Sequence, residues 1–272
     1  MTTINIDQFS FTSIPLKMYF NEQYLSHGTA FFYKHCEDIY LITNWHNLAG
    51  RNPYNKKVLS SNRGVPNKVL YGTYRKTSDS GYVLEIQTAF LNNSDNKPFW
   101  LEHSTFKSNV DIAALKITLP LNCIVYPINT LPSHPISVGI GMEVFVLGFP
   151  AQLFTDHLPI WKRATIASEY NINIKNIPSF LIDTATYNGM SGSPVILRTR
   201  ETYKNTEGRT AIISGGTAPT LFLGIYSGRH TLENNLIKEK VDEEFLYKAQ
   251  LGIVWKERLI AEVISSGTIP EL

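Results

Sequence analysis

An all-β fold in two successive halves is what this 272-residue chain predicts. Three observations lead there. Short stretches dense in Val, Ile, Tyr, Phe and Thr recur between turn signals. They do not alternate with long helical patterns, so barrels or sandwiches are expected, not β-α units. A proline-bearing piece near the middle divides them. In chain order the predicted strands are 16–20, 29–33, 39–43, 82–87, 112–117, 143–147, 180–184, 194–197, 211–214 and 221–226. Each is short and rich in β-branched or aromatic residues, which suit a pleated, half-buried surface. Piece 124–141, with Pro127, Pro132, Pro135 and two glycines, reads as an exposed connection. The expected organisation is therefore a first barrel over 1–125, a connection over 126–141 and a second barrel over 142–272. The last forty residues differ in texture. Residues 241–248 look helical, and Trp255, Leu259, Ile260, Val263 and Ile264 fall at helical spacing on one face.

Composition narrows the function classes. The chain is 43% hydrophobic and 18% charged, a globular balance, and is long enough to bury well over half of its unfolded surface. A net charge of +2 gives no basic groove for nucleic acid and no patch for an anionic membrane. Lys56-Lys57 and the Arg198 to Arg200 region read as solvated loops. No apolar run approaches the roughly 20 residues needed to span a bilayer, and the start carries neither the basic nor the apolar region of a secretion signal. Cys36 and Cys123 match no metal or redox spacing and are expected buried and reduced, which favours a cytoplasmic address. No cofactor or metal is implied.

Three segments carry chemistry. In Asn188-Gly189-Met190-Ser191-Gly192-Ser193-Pro194-Val195 one serine sits between glycines, in a bend running into a β-type segment. Such a bend can present a hydroxyl beside free backbone N–H groups. Upstream, L-I-T-N-W-H ends an apolar strand in His46, and D-I-A-A-L-K-I places Asp111 at the mouth of another. A carboxylate opening an apolar strand is costly without a partner. His27, His35, His103, His134, His157 and His230 lack such a setting and read as surface or core residues, while Asp79 and Asp95 sit in polar, turn-like runs.

With the later L-G-I-Y-S-G, these segments resemble a trypsin-like serine peptidase, closest to bacterial glutamyl-endopeptidase-like and HtrA-like protease domains. The matching pieces extend from about residue 28 to residue 228. The resemblance implies a chymotrypsin-like fold of two six-stranded antiparallel β-barrels with a C-terminal helix, and a serine endopeptidase acting through an acyl-enzyme on a peptide or protein substrate. Ser191 would attack, His46 would take and return the proton, and Asp111 would fix the imidazole tautomer. Backbone N–H groups of Gly189 and Ser191 would form the oxyanion hole. Ser193 replaces a glycine of many relatives. The nucleophile elbow of α/β-hydrolases does not fit, since the fifth position is Ser193, Pro194 follows, and the histidine comes first in the chain.

The same resemblance suggests a substrate pocket of Ala185, Thr186, Tyr226, Ser227, Gly228 and Arg229. Ala185 at its base argues against preference for Lys or Arg. Thr186 matches glutamyl endopeptidases, whereas Tyr226 stands where they carry a histidine. Ser227 is placed to bond Asp111, and Arg229 either pairs with an acidic substrate group or points to solvent. Met190 cannot form the ion pair by which a newly cut N-terminus organises zymogen-type relatives, so activation by cutting there is not expected. A disulfide flanks the catalytic histidine in secreted animal trypsins, and no second cysteine lies near His46. Two other roles share these residues: a protease-fold binding module or dormant protease aligned by a regulatory protein partner, and an esterase-like acyl hydrolase.

Overall fold

The computed structural model describes residues 6–77, 81–152, 158–185, 188–199, 202–212, 218–228 and 250–272. Its first half holds β1 (Ser13–Phe20), β2 (Gln23–His35), β3 (Asp38–Thr43), the short helix α1 (Trp45–Ala49), β4 (Lys68–Lys76), β5 (Tyr82–Phe90), β6 (Trp100–Leu101) and β7 (Ala113–Ile117). The seven strands form one antiparallel sheet in the order β5-β4-β1-β2-β3-β7-β6. The second half holds β8 (Glu143–Gly148), β9 (Ile160–Ile166), β10 (Ser179–Asp183), β11 (Pro194–Arg198), β12 (Thr202–Lys204), β13 (Thr210–Ile212), β14 (Thr220–Gly228) and β15 (Leu251–Lys256), followed by α2 (Arg258–Ser266). Six of these strands close into a barrel in the order β10-β15-β14-β11-β8-β9, with β12 and β13 forming a separate ribbon. Closure leaves the barrel no unpaired strand edge.

Period-two burial explains the sheets. In β1, Ile14, Leu16 and Met18 point to one face and are buried, while Lys17 and Tyr19 alternate with them. They join Phe32, Leu41, Trp45, Val69 and Trp100 in the core of the first half. Val146, Phe180, Ile182, Val195, Leu223 and Val254 fill the second. A third cluster lies between the halves, where Phe31, Ile42 and Ile112 meet Ile196, Ile225, Trp255 and the apolar face of α2. That helix buries Leu259, Ile260, Val263 and Ile264, each contributing about 1.5–3 kcal/mol. Past α2 the chain returns to the first half, with Glu102 and Thr268 exchanging backbone hydrogen bonds of 2.9 and 3.0 Å. His103 faces Glu262 of α2 at 3.1 Å.

The all-β double-barrel arrangement with a C-terminal helix is thus the observed fold, with a seventh strand in the first half because the two residues of β6 add to β7. Several expectations need correction. Trp255 lies in β15 and not in the helix, yet shares the helix's cluster because its strand face points at α2. Strands β4, β9 and β15 escaped notice because Lys68, Gly72, Lys162, Arg163 and Gly252 dilute their apolar pattern. The connection between the halves is pinned at Ile128 and Ile136, both buried, so only parts of it are exposed. Arg198 ends β11 with its guanidinium 4.7 Å from the Trp161 ring and bonded to Asp7, a held side chain in place of a solvated one. Lys56 is exposed, but its ammonium lies 4.5 Å from the Trp45 ring and donates to Ser108 Oγ. Cys36 is exposed in the β2–β3 turn at φ +52°, and Cys123 is half-buried; both are free thiols. The helix expected at 241–248, the end of strand 211–214, and Asp79, His157, Arg200 and His230 lie outside the described residues.

Candidate active site

The site is built at the seam where β2, α1 and the segment before β7 face the turn before β11. Helix α1 follows β3 after one residue, Asn44, and ends on Gly50 in the left-handed region at φ +61°. Trp45, Leu48 and Ala49 hold it to the core of the first half. The Trp45 indole N–H donates to Glu102 Oε2 at 2.8 Å. Burial raises the Glu102 carboxyl above its ordinary range, opposed by the Trp45 hydrogen bond and the charges of Lys107 and Lys56. With one face so anchored, α1 turns His46 toward the seam, its side chain 18% exposed.

Asp111 is fully buried and its carboxylate has three hydrogen-bond partners. Oδ1 accepts the His46 backbone N–H at 2.9 Å, satisfying one of the free donors at the start of α1. Oδ2 lies 2.7 Å from His46 Nδ1 and accepts the Ser227 hydroxyl. The Asp111 carbonyl takes the Asn44 side-chain amide at 2.7 Å. A carboxylate against Nδ1 requires the proton there, which leaves Nε2 as the unprotonated nitrogen of a neutral ring.

Ser191 sits in the turn 188–193, shaped by Gly189 at φ +100° and Gly192 at φ +90°. Both positions favour glycine twice over. An added Cβ at Gly192 would lie 2.0 Å from the Thr29 carbonyl oxygen, and one at Gly189 2.4 Å from that of Phe149. The Ser191 carbonyl accepts from the Thr29 N–H at 2.9 Å and the Asn47 side-chain amide at 3.3 Å. Thr29 Oγ1 donates to the Gly189 carbonyl at 2.7 Å, and the Gly192 N–H donates to the Tyr226 carbonyl at 3.0 Å. The turn is therefore stitched to both halves.

The Ala151 N–H donates to the Asn188 carbonyl at 2.8 Å. Across a trans peptide the N–H points opposite to the C=O, so this bond turns the Gly189 N–H away from Ala151. Among the described residues, no acceptor takes the N–H of Gly189 or of Ser191. The Ser191 hydroxyl lies beside Gly228, where an added Cβ would stand 3.3 Å from it, and Ser227 next door bonds Asp111. Three residues distant in the chain are thereby gathered at one seam. Among the described residues, the Ser191 hydroxyl and the His46 ring share no hydrogen bond. Ser193 points elsewhere, its buried hydroxyl toward Gly148 and without a partner among the described residues.

Of the pocket expected from the sequence, Ala185 is half-buried after β10, and Gly228 takes φ +86°. Tyr226 has no exposed surface. Its ring lies in the barrel core over Gly252, where an added Cβ would be 2.4 Å from Cε2. Thr186 and Arg229 lie outside the described residues. Met190 is buried in the barrel's apolar cluster.

Thr29, Thr43 and Asn47 border the site without having been singled out in the sequence, and His27, read there as a surface or core residue, borders it too. Thr43 stands within L-I-T-N-W-H, and Asn47 is a polar residue on the buried side of α1, a helix that the sequence had shown only as the end of a strand. His27 sits against Gly189, its Nδ1 2.9 Å from the Tyr24 hydroxyl. Burial lowers its pKa from 6.5, with a contact to the Asn188 backbone opposing and Lys17 adding to the fall. Among the described residues there is no cluster of three or more metal-ligating side chains, and no helix is long and apolar enough to cross a membrane.

The double-barrel fold agrees with what a comparison against family models finds. The trypsin-like peptidase domain matches residues 28–202, more than half of the chain, and the chain belongs to that family. Among solved structures, a serine endoprotease from Yersinia pestis is 15% identical, with 96% of this chain and 66% of that one aligned at a TM-score of 0.46. A thermostable serine protease from an extremophilic microorganism is 12% identical over 92% of this chain and 93% of that one, at 0.47. An HtrA-type protease solved with a tripeptide is 15% identical over 94% of this chain and 60% of that one, at 0.46. The chain thus spans less than two thirds of the length of the Yersinia and HtrA-type chains. No match was found among curated proteins.

Proposed function

We propose that this chain is a serine endopeptidase that cleaves peptide bonds through Ser191, His46 and Asp111 and an acyl-enzyme intermediate. The observation that carries the reading is the buried Asp111 carboxylate, which takes the His46 backbone N–H, faces the imidazole Nδ1 and accepts from Ser227 in the seam that holds Ser191. A fully buried carboxylate is retained where its charge is used or fully paired. Here it fixes a tautomer and stabilises the imidazolium that forms during attack.

In this mechanism His46 Nε2 removes the Ser191 proton as Oγ adds to the substrate carbonyl carbon. The oxyanion moves into the N–H groups of Gly189 and Ser191, where one such donor contributes about 3–4 kcal/mol in comparable enzymes. His46 then protonates the leaving amine and the C–N bond breaks. Water, deprotonated by His46, attacks the acyl ester, and Ser191 leaves with its proton restored. Among the described residues no hydrogen bond joins Ser191 to His46, and such catalytic bonds are often long until substrate tightens them. The same observation favours a second reading, a dormant protease aligned by a partner protein. In either case the substrate is a peptide or protein, the reaction needs no cofactor, and the proposed address is the cytoplasm.

Incubation with a denatured protein, followed by mass spectrometry of the fragments, tests the proposal against Ser191→Ala. Fragments made by the native chain and lost in the variant support it. Ester hydrolysis without peptide cleavage would replace it with an acyl hydrolase, and no turnover of either would leave the dormant reading.

A further inference from the structure

The residue directly after His46 has no place in the chemistry above, yet it is polar, nearly fully buried and bonded across the seam. Asn47 Nδ2 donates to Thr43 Oγ1 at 2.9 Å and to the Ser191 carbonyl at 3.3 Å. Thr43 Oγ1 donates onward to the Thr29 carbonyl at 2.8 Å, and the Thr29 N–H returns to the Ser191 carbonyl at 2.9 Å. The result is a closed ring of four residues from α1, β3, β2 and the nucleophile turn. Gly28 leaves room for it, since an added Cβ there would come within 2.8 Å of Asn47 Nδ2. Every other buried residue of α1 is apolar or belongs to the helix core.

We infer that Asn47 is a positioning residue that sets the Ser191 hydroxyl relative to the His46 imidazole. It is adjacent to His46 on a five-residue helix, and its amide holds the carbonyl of Ser191 itself. The two reacting side chains come from different halves of the fold. The bond from the neighbour of one to the backbone of the other links them directly across that seam. The inference rests on the proposed catalytic reading. It differs from a packing role because misplacement of reacting atoms by about 1 Å can cost about a hundredfold in rate while substrate binding stays intact.

The test compares native chain, Asn47→Leu and Asn47→Asp, well below their melting temperatures, on a chromogenic peptide ester with active sites titrated. Leucine keeps the branching at Cγ, with more bulk, and removes the donor; aspartate keeps both shape and size and covers the case in which leucine fails to fold. The expected result is a kcat per titrated site lower by roughly ten- to a hundredfold, with KM changed by less than about twofold. A lowered melting temperature with kcat per site unchanged would assign Asn47 to packing alone and overturn the inference. A native chain that turns over nothing would bring down the catalytic reading instead. Asn47 is then judged by hydrogen exchange at the Thr29 amide, expected at least about tenfold faster in either variant; an unchanged rate overturns the inference independently of activity.

Discussion

Asp111→Asn exchanges one carboxylate oxygen for an NH₂ of nearly the same shape, and the surroundings decide which oxygen is lost. Oδ1 faces the His46 backbone N–H, a donor that cannot reverse its role. Oδ2 faces His46 Nδ1 and the Ser227 hydroxyl, both able to become acceptors. The amide therefore keeps its oxygen at the Oδ1 place and puts NH₂ against Nδ1. The imidazole must then carry its proton on Nε2, where it can no longer take one from Ser191. The same exchange in a Ser-His-Asp enzyme lowers kcat about 10⁴-fold, equivalent to about 5.5 kcal/mol of barrier. Turnover of an activated peptide ester by native and variant chains reads the effect, with circular dichroism confirming the fold. The expected loss is at least about a thousandfold, with KM little changed. A variant within about tenfold of native would refute the tautomer reasoning.

Gly192→Ala adds a Cβ about to collide with the Thr29 carbonyl at a φ of +90°; a stability loss above about 2 kcal/mol and loss of turnover are expected in urea unfolding and ester assays. Leu259→Ala empties a fully buried site under α2 and should cost about 2.7–5 kcal/mol, read by the same urea titration. His27 supplies the pH dependence. Burial lowers its folded pKa from 6.5, so the unfolded chain binds this proton more readily. The stability from keeping the ring neutral is complete above pH 6.5 and is lost as pH falls from there through the folded pKa. His27→Asn should flatten the acid side of a melting-temperature profile, and an unchanged slope would contradict the assignment.

Much of the site was legible because its chemistry constrains local sequence. A serine that needs two glycines at positive φ leaves a mark in Gly189 and Gly192, and a carboxylate opening an apolar strand marks Asp111. Strands whose faces are cleanly apolar, such as β3 and β7, were legible for the same reason. Strand β15 was not, because Trp255 serves the cluster under α2 and so fits a helical stripe as well as a strand face. Thr29 and Asn47 were missed because their significance lies in bonds to Ser191, more than a hundred residues away. Nothing in local pattern encodes a partner at that separation. Arg198 illustrates the reverse, a charge that local composition assigns to solvent and that Trp161, Asp7 and Thr220 together withdraw from it.

Labelling with a fluorophosphonate, followed by peptide mapping of the adduct, tests most directly whether a hydroxyl at the seam is activated by its imidazole neighbour. The account predicts one phosphonyl group on Ser191 in the native chain, none in Ser191→Ala, and labelling slowed by orders of magnitude in His46→Ala. An adduct on Ser193 or any other residue, or equal labelling of the native and His46→Ala chains, would contradict it.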